Sequence, residues 1–307
     1  MNTSKFRHDF LFVKFPIIFP LLYCFILYNF PSFETELILL TILLLAEPHF
    51  GATWPFFLNK INKDYIQENK FFLVKIPILI TILCLLGFFL AKSFFLLVFF
   101  ASNIHHVTRQ SLGISKLYSP SSIESKSIEI NLYLWNIIFF LIGFFRFYYP
   151  VITAEHVNAL NIIILSLLFI NFFYFFLKFK LSDNFFTLLT GVIIFYPICF
   201  VDSPVHAILM GVTMHFSQYL IFTYKITKNR ELKVNTSSKN YYFIFLVIIY
   251  SIFMTGFSSS GNIDSELLKN LIIIPITAQM LHFYLDSRLW KFSEKHNRKS
   301  VLEFLLI

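Results

Sequence analysis

Long apolar stretches alternate along the chain with short segments rich in polar and basic residues. A membrane-spanning helix needs about 20 predominantly apolar residues, because each residue advances about 1.5 Å through a hydrocarbon layer about 30 Å thick. About ten segments approach or exceed this length. They lie near residues 15–31, 36–58, 71–91, 93–112, 131–149, 159–177, 185–201, 204–224, 241–257 and 267–290. The pattern predicts an all-α, polytopic transmembrane helical bundle of about ten spans.

The charges between these segments predict how the spans are oriented. Most of the Lys and Arg residues fall in the N-terminus, the C-terminal tail and alternate loops, namely 59–70, 109–129, 178–183 and 223–239. Cytoplasmic loops carry an excess of Lys and Arg, so both termini are expected in the cytoplasm. We interpret residues 1–307 as a single integral membrane domain of the bacterial inner membrane. Residues 118–130 are expected to form a flexible cytoplasmic loop, and 291–307 a cytoplasmic tail.

Composition supports the membrane class and argues against two others. Hydrophobic residues make up 57% of the chain and charged residues only 14%, whereas soluble domains carry about a quarter charged residues. The net charge of +8 is spread over short loops, so nucleic acid is not expected as a partner. Cys24, Cys84 and Cys199 lie in apolar stretches without C-x-x-C spacing. They are predicted to be small buried hydrophobic residues that form neither disulfides nor a zinc site.

Four polar stretches interrupt the even-numbered spans 2, 4, 8 and 10. Their sequences are EPHFG at 47–51, NIHHVTRQ at 103–110, HFSQY at 215–219 and a longer stretch that begins with AQMLHFYLD at 278. All four spans run from outside to inside. Counted from the outer end, the histidines lie about 17–22 Å deep at about 1.5 Å per residue. Ionisable groups in a membrane are costly and usually face the interior of the bundle, so this shared level predicts a functional site.

The residue types at this level indicate a bound transition metal. Imidazole suits iron, copper, zinc and nickel, and nearby carboxylates broaden the choice toward iron or manganese. The predicted ligands are His49, His105, His106, His215 and His282. Asp286 and Glu47 are further ligands or orienting groups, and the amides of Gln110, Gln218 and Gln279 lie at helical spacing for orienting the imidazoles. Because His105 and His106 point about 100° apart on a helix, which of them faces the site stays open.

Two of these motifs resemble a known family. The PHFG sequence at Pro48–Gly51 and the His282-x-x-x-Asp286 pair look like polar landmarks of the bacterial carotene-cleaving dioxygenases of the Brp/Blh type. The resemblance implies a multi-span membrane protein that uses iron and dioxygen to cleave a carotenoid. Its implied iron ligands are His49, His105 or His106, His215 and His282. The substrate itself does not carry over from the resemblance.

We therefore predict a non-haem iron oxygenase that acts on a lipophilic substrate from the membrane lipid, such as a carotenoid, another isoprenoid or an acyl lipid. Dioxygen would be the co-substrate, and a partner reductase is one source of electrons that the sequence leaves open. The alternative is a proton-coupled secondary transporter, in which the same His, Asp and Gln side chains would relay protons or bind a solute. A transporter should have polar residues leading to both faces of the membrane.

Overall fold

The computed structural model describes residues 9–118, 126–234, 239–260 and 265–305. Helices make up most of this part of the chain, and none of its residues lies in a β-strand. The predicted all-α class is therefore confirmed. Residues 119–125, which form most of the predicted flexible loop, lie outside the described residues.

Each of the ten predicted apolar segments coincides with a helix. We name these helices α1 (Ile18–Asn29), α2 (Pro31–Phe57), α3 (Phe71–Leu90), α4 (Lys92–Tyr118), α5 (Lys126–Tyr148), α6 (Ala154–Phe179), α7 (Asp183–Cys199), α8 (Pro204–Val234), α9 (Lys239–Ser259) and α10 (Ile273–Leu289). Within the described residues, six of them are long and apolar enough to cross a membrane: α2, α3, α5, α6, α8 and α9. Six helices of this length and apolarity are typical of an integral membrane protein.

Proline residues shape several of the helices. Proline has no N–H group, and its ring clashes with the carbonyl four residues earlier, so the helix widens locally into a π-helical turn. Four such turns each end two residues before a proline: Phe10–Lys14, Ile42–Ala46, Phe71–Lys75 and Phe144–Tyr148. In α2 the wide turn directly precedes Glu47. It therefore sets the direction in which Glu47 and His49 project from the helix.

The described residues form two compact units, which we treat separately. The first unit is drawn from 1–38 and 103–218, and the second from 39–102 and 219–307. In the first unit, α4, α5 and α7 approach closely at Gly191, where an added Cβ would lie 2.9 Å from both Ser111 and Leu132. The amide of Asn136 also donates to the Gly191 carbonyl oxygen at 3.3 Å. These contacts fix the side of α4 that faces the interior of the unit.

In the second unit α2 packs against α9 and α10, and α10 packs against α3. A Cβ on Gly51 would lie 2.6 Å from Cδ1 of Tyr250 on α9, so the absence of a side chain allows the two helices to meet. Cys84 on α3 is buried in an apolar cluster with Phe88 and Ile273. Its predicted role as a small buried hydrophobic residue is confirmed, as is that of Cys199.

A close contact of two helices at Gly211 in the first unit yields a stability prediction. A Cβ on Gly211 of α8 would overlap the backbone carbonyl of Ile194. Backbone cannot move aside as a side chain can, so Gly211→Ala should lower the free energy of unfolding by about 2 kcal/mol. The measurement is thermal unfolding of the detergent-solubilised protein.

Gly113→Ala is the matched control for that substitution, because it lies in a helix of the same unit with nothing within 4 Å of the added Cβ. It should leave stability unchanged or raise it slightly, since alanine favours helix over glycine. Equal melting temperatures for the two variants would contradict the predicted contact.

Candidate functional site

Two of the predicted ligands, His49 and His282, form a pair in the second unit. His49 lies on α2 and His282 on α10, and both side chains are completely buried. Their ring centroids are 4.4 Å apart, with the ring planes inclined at 69°. Each offers a ring nitrogen within 4.8 Å of the other's. The fold of the second unit thus brings together two of the predicted ligands from positions more than 230 residues apart.

A hydroxyl network holds the His282 ring. Thr53 lies one helical turn after His49, and its Oγ1 is 2.6 Å from His282 Nδ1 and 2.7 Å from the Tyr219 hydroxyl. Tyr219 donates a 2.8 Å hydrogen bond to Asp286 Oδ1. A longer contact of 3.5 Å joins Thr53 Oγ1 to the same carboxylate oxygen. Four polar side chains thus share one buried network in the second unit.

With Asp286 ionised, one order of donors satisfies the three short contacts of this network. Because Tyr219 donates its only proton to Asp286, its oxygen accepts from the Thr53 hydroxyl. The Thr53 oxygen then accepts from His282 Nδ1–H. A neutral imidazole that is protonated at Nδ1 has its lone pair at Nε2, which is the form that a metal ligand requires. Asp286 thus acts on His282 mainly through two hydroxyls, and its Oδ2 lies 3.7 Å from Nε2.

Glu47 occupies a different polar cluster of the second unit. Ser258 of α9 donates to Glu47 Oε1 at 3.3 Å, and the side-chain amide of Gln279 bonds to the same carboxylate. Gln279 was expected to orient His282, three residues further along α10. The structure instead gives it Glu47 as its partner, so the two buried carboxylates of this unit, Glu47 and Asp286, have separate sets of partners.

The first unit contains a second pair of buried histidines. His106 on α4 and His215 on α8 have ring centroids 5.2 Å apart and nearly perpendicular planes, at 87°. His105 lies on the exposed side of α4, with its ring 6.4 Å from that of Tyr133. Of the adjacent histidines, His106 is therefore the one that faces the interior.

The two remaining predicted glutamines, Gln218 and Gln110, have different surroundings. The Gln218 side-chain amide donates to the Val13 carbonyl oxygen at 2.6 Å, and Ser217 donates to the Phe12 carbonyl oxygen at 3.0 Å. Gln218 therefore holds the N-terminal segment, a role that its spacing from His215 did not indicate. Gln110 is half-buried on α4, one helical turn after His106.

Thr53 and Tyr219 are the site residues that sequence analysis missed. Each follows a predicted ligand by four residues, Thr53 after His49 and Tyr219 after His215. That spacing places a hydroxyl on the same helix face as an imidazole, which was the available signal.

No protein-family model, curated protein or solved structure matches this chain. The chemistry of the site must therefore be judged from its donor set. The buried imidazoles are good ligands for a first-row transition metal, and the Thr53 hydroxyl supplies the outer hydrogen bond that metal-bound histidines normally make. The residues present thus fit a bound metal ion.

The hydroxyl network predicts an unequal response to two threonine substitutions. Thr53→Val keeps the shape of the side chain but removes the buried hydroxyl that joins His282 Nδ1 to the Tyr219 oxygen, so it should cost about 2 kcal/mol of unfolding free energy. Thr223→Val is the control, since its buried hydroxyl donates only within α8, to the Tyr219 and Leu220 carbonyl oxygens. It should cost less than about 1 kcal/mol. Equal losses in thermal or denaturant unfolding would contradict the network.

Proposed function

We propose that this protein is an integral membrane, histidine-ligated non-haem iron oxygenase that acts on a lipophilic substrate. The observation that carries the proposal is the buried pair His49 and His282, with the tautomer of His282 fixed by a chain of hydroxyls that ends on Asp286. Such an outer hydrogen-bonded chain is typical of metal-bound histidines.

The proposed ligands in the second unit are His49 and His282, which each offer a ring nitrogen. In the first unit, His106 and the His215 ring that packs on it are proposed as further ligands from their predicted shared level in the membrane. Imidazoles alone would suit several metals, and the buried carboxylates favour iron or manganese. We choose iron because the motifs at Pro48–Gly51 and His282 resemble those of the Brp/Blh carotene dioxygenases. That resemblance also supports dioxygen as co-substrate and a carotenoid, isoprenoid or acyl lipid as substrate.

The surrounding residues have clear tasks in this proposal. Bound iron would supply the activation of dioxygen for oxidation of the substrate. Thr53 keeps a proton on His282 Nδ1 and so directs Nε2 toward the metal. Phe50 and Phe283 pack against the His282 ring at centroid distances of 5.2 and 5.8 Å, and they exclude water from it. A dry, apolar site also suits a substrate that enters from the bilayer.

The proposed topology has about ten spans, with both termini in the cytoplasm of a bacterial cell. Its support is the alternation of basic and non-basic loops. Two helices outside the group of six apolar helices, α4 and α10, carry His106 and His282. Polar site residues lower the mean hydropathy of a span, so a functional site accounts for the weaker signal of these two helices.

One observation favours the alternative of a proton-coupled secondary transporter. Glu47, Gln279 and Ser258 form a polar cluster that extends to the end of α9. In a transporter this cluster would extend a polar path from the histidines toward one face of the membrane. Transport assays in proteoliposomes distinguish this alternative from oxygenation.

Elemental analysis of the detergent-purified protein tests the proposal. The wild-type protein should hold close to one iron per chain after reconstitution. His282→Ala and His106→Ala should each weaken iron binding at least tenfold. Removing even a residue that only hydrogen-bonds to a metal ligand lowers metal affinity by about this factor.

His105→Ala is the matched control for His106→Ala, because His105 is the neighbouring residue but lies on the exposed face of α4. It should retain the iron. A wild-type protein that remains free of metal after reconstitution, or an equal loss in His105→Ala and His106→Ala, would contradict the proposed site.

A further inference from the structure

The segment after α10 folds back on the second unit as a short helix over residues 295–305. The Arg230 side chain donates to the Ser300 carbonyl oxygen at 2.8 Å, and Asn229 donates to the Phe304 carbonyl oxygen at 2.7 Å. At the start of this tail helix, the His296 ring stacks on Tyr65 with centroids 4.2 Å apart. The tail is thus a fixed part of the unit, and the side chains that it presents have defined positions.

This tail helix forms one wall of a pocket. The pocket has a volume of about 350 Å³ and is lined by Ile61, Lys295, His296, Lys299 and Ser300. Lys295 and Lys299 are four residues apart, as are His296 and Ser300, so each pair lies along one face of the helix. The two ammonium groups therefore lie on the same side of the helix, beside a hydroxyl and an imidazole.

No carboxylate lines this pocket among the described residues. The nearest acidic residue in sequence is Glu294, whose carboxylate accepts from the Tyr65 hydroxyl and from Lys291. The hydrogen bond from Tyr65, together with Lys291, holds the pKa of Glu294 below its usual range. Glu294 and Glu68 both lie near His296, but neither lines the pocket, so its two lysines give the lining a net positive charge.

The Ser300 side chain gives a second, independent indication of a ligand. Its hydroxyl is buried and makes no hydrogen bond with any other described residue. A buried hydroxyl without a partner is costly, and a ligand oxygen that accepts its proton would remove that cost. Ser300 lines the pocket, and the bond from Arg230 to its backbone carbonyl oxygen fixes the position of the residue there.

We propose that this pocket binds an anionic phosphate group, with Lys295 and Lys299 as the charged contacts and Ser300 as a neutral donor. Lysine binds phosphate as a point charge, and phosphate oxygens accept several hydrogen bonds at once. The same chemistry is offered by the headgroup of an acidic phospholipid and by free phosphate. The position favours the lipid, because Lys291, Lys295, Arg298 and Lys299 follow directly after α10, and such basic clusters beside a span attract acidic lipids. The proposal is independent of the metal site.

Isothermal titration calorimetry of the full chain in a maltoside detergent tests it, with three titrants in separate arms. These are short-chain phosphatidylglycerol, short-chain phosphatidylcholine and inorganic phosphate. Phosphatidylglycerol should bind more tightly than phosphatidylcholine. Lys295→Gln with Lys299→Gln should raise the dissociation constant for phosphatidylglycerol about 30-fold. This factor corresponds to a loss of about 1 kcal/mol of binding free energy for each lysine. Ser300→Ala should raise it severalfold.

The control variant, Lys63→Gln with Lys70→Gln, removes the same charge from exposed residues of the second unit that do not line the pocket. It should bind as the wild type does. Binding of phosphatidylglycerol alone identifies a lipid headgroup as the ligand, and binding of inorganic phosphate identifies the phosphate group itself. The proposal is overturned if the wild type binds neither, or if the control loses as much affinity as the pocket variant.

Discussion

The cost of burying polar groups is the constraint on which the second unit depends. The chain of donors from His282 through Thr53 and Tyr219 to Asp286 satisfies side chains that would otherwise cost several kcal/mol in an apolar interior. This series of hydrogen bonds forms only if α2 and α10 pack with Thr53 directly beside His282. The π-helical turn before Glu47 rotates α2 into place, and the missing side chain at Gly51 admits Tyr250 of α9. Local features of the backbone thus determine whether the side chains of this polar network can reach one another.

Sequence predicted the helices well, because apolar length is a strong signal and the loops between spans are short. Counting along each predicted span placed His49 and His282 at one level, and in the structure their rings lie side by side. Rotation about a helix axis does not follow from counting. The choice between His105 and His106 therefore required the packing of α4, and Gln279 found Glu47 where its spacing had suggested His282.

Thr53 and Tyr219 illustrate a second limit of the sequence. Both residue types are common in membrane helices, and a spacing of four from a histidine recurs by chance. Their importance depends on a third helix, α10, which brings His282 and Asp286 to them. Only the packing of distant helices distinguishes a hydroxyl that is part of a site from one that bonds within its own helix, such as that of Thr223.

The central claim is that the buried histidines bind a transition metal. X-ray absorption at the edge of the metal that copurifies with the protein tests this most directly. The account predicts the multiple-scattering pattern of imidazole rings, with metal–nitrogen distances of about 2.0–2.2 Å, and a weaker pattern in Thr53→Val as the His282 ring loses its orientation. A metal bound only by oxygen or sulfur, or a spectrum that His282→Ala leaves unchanged, would contradict the claim.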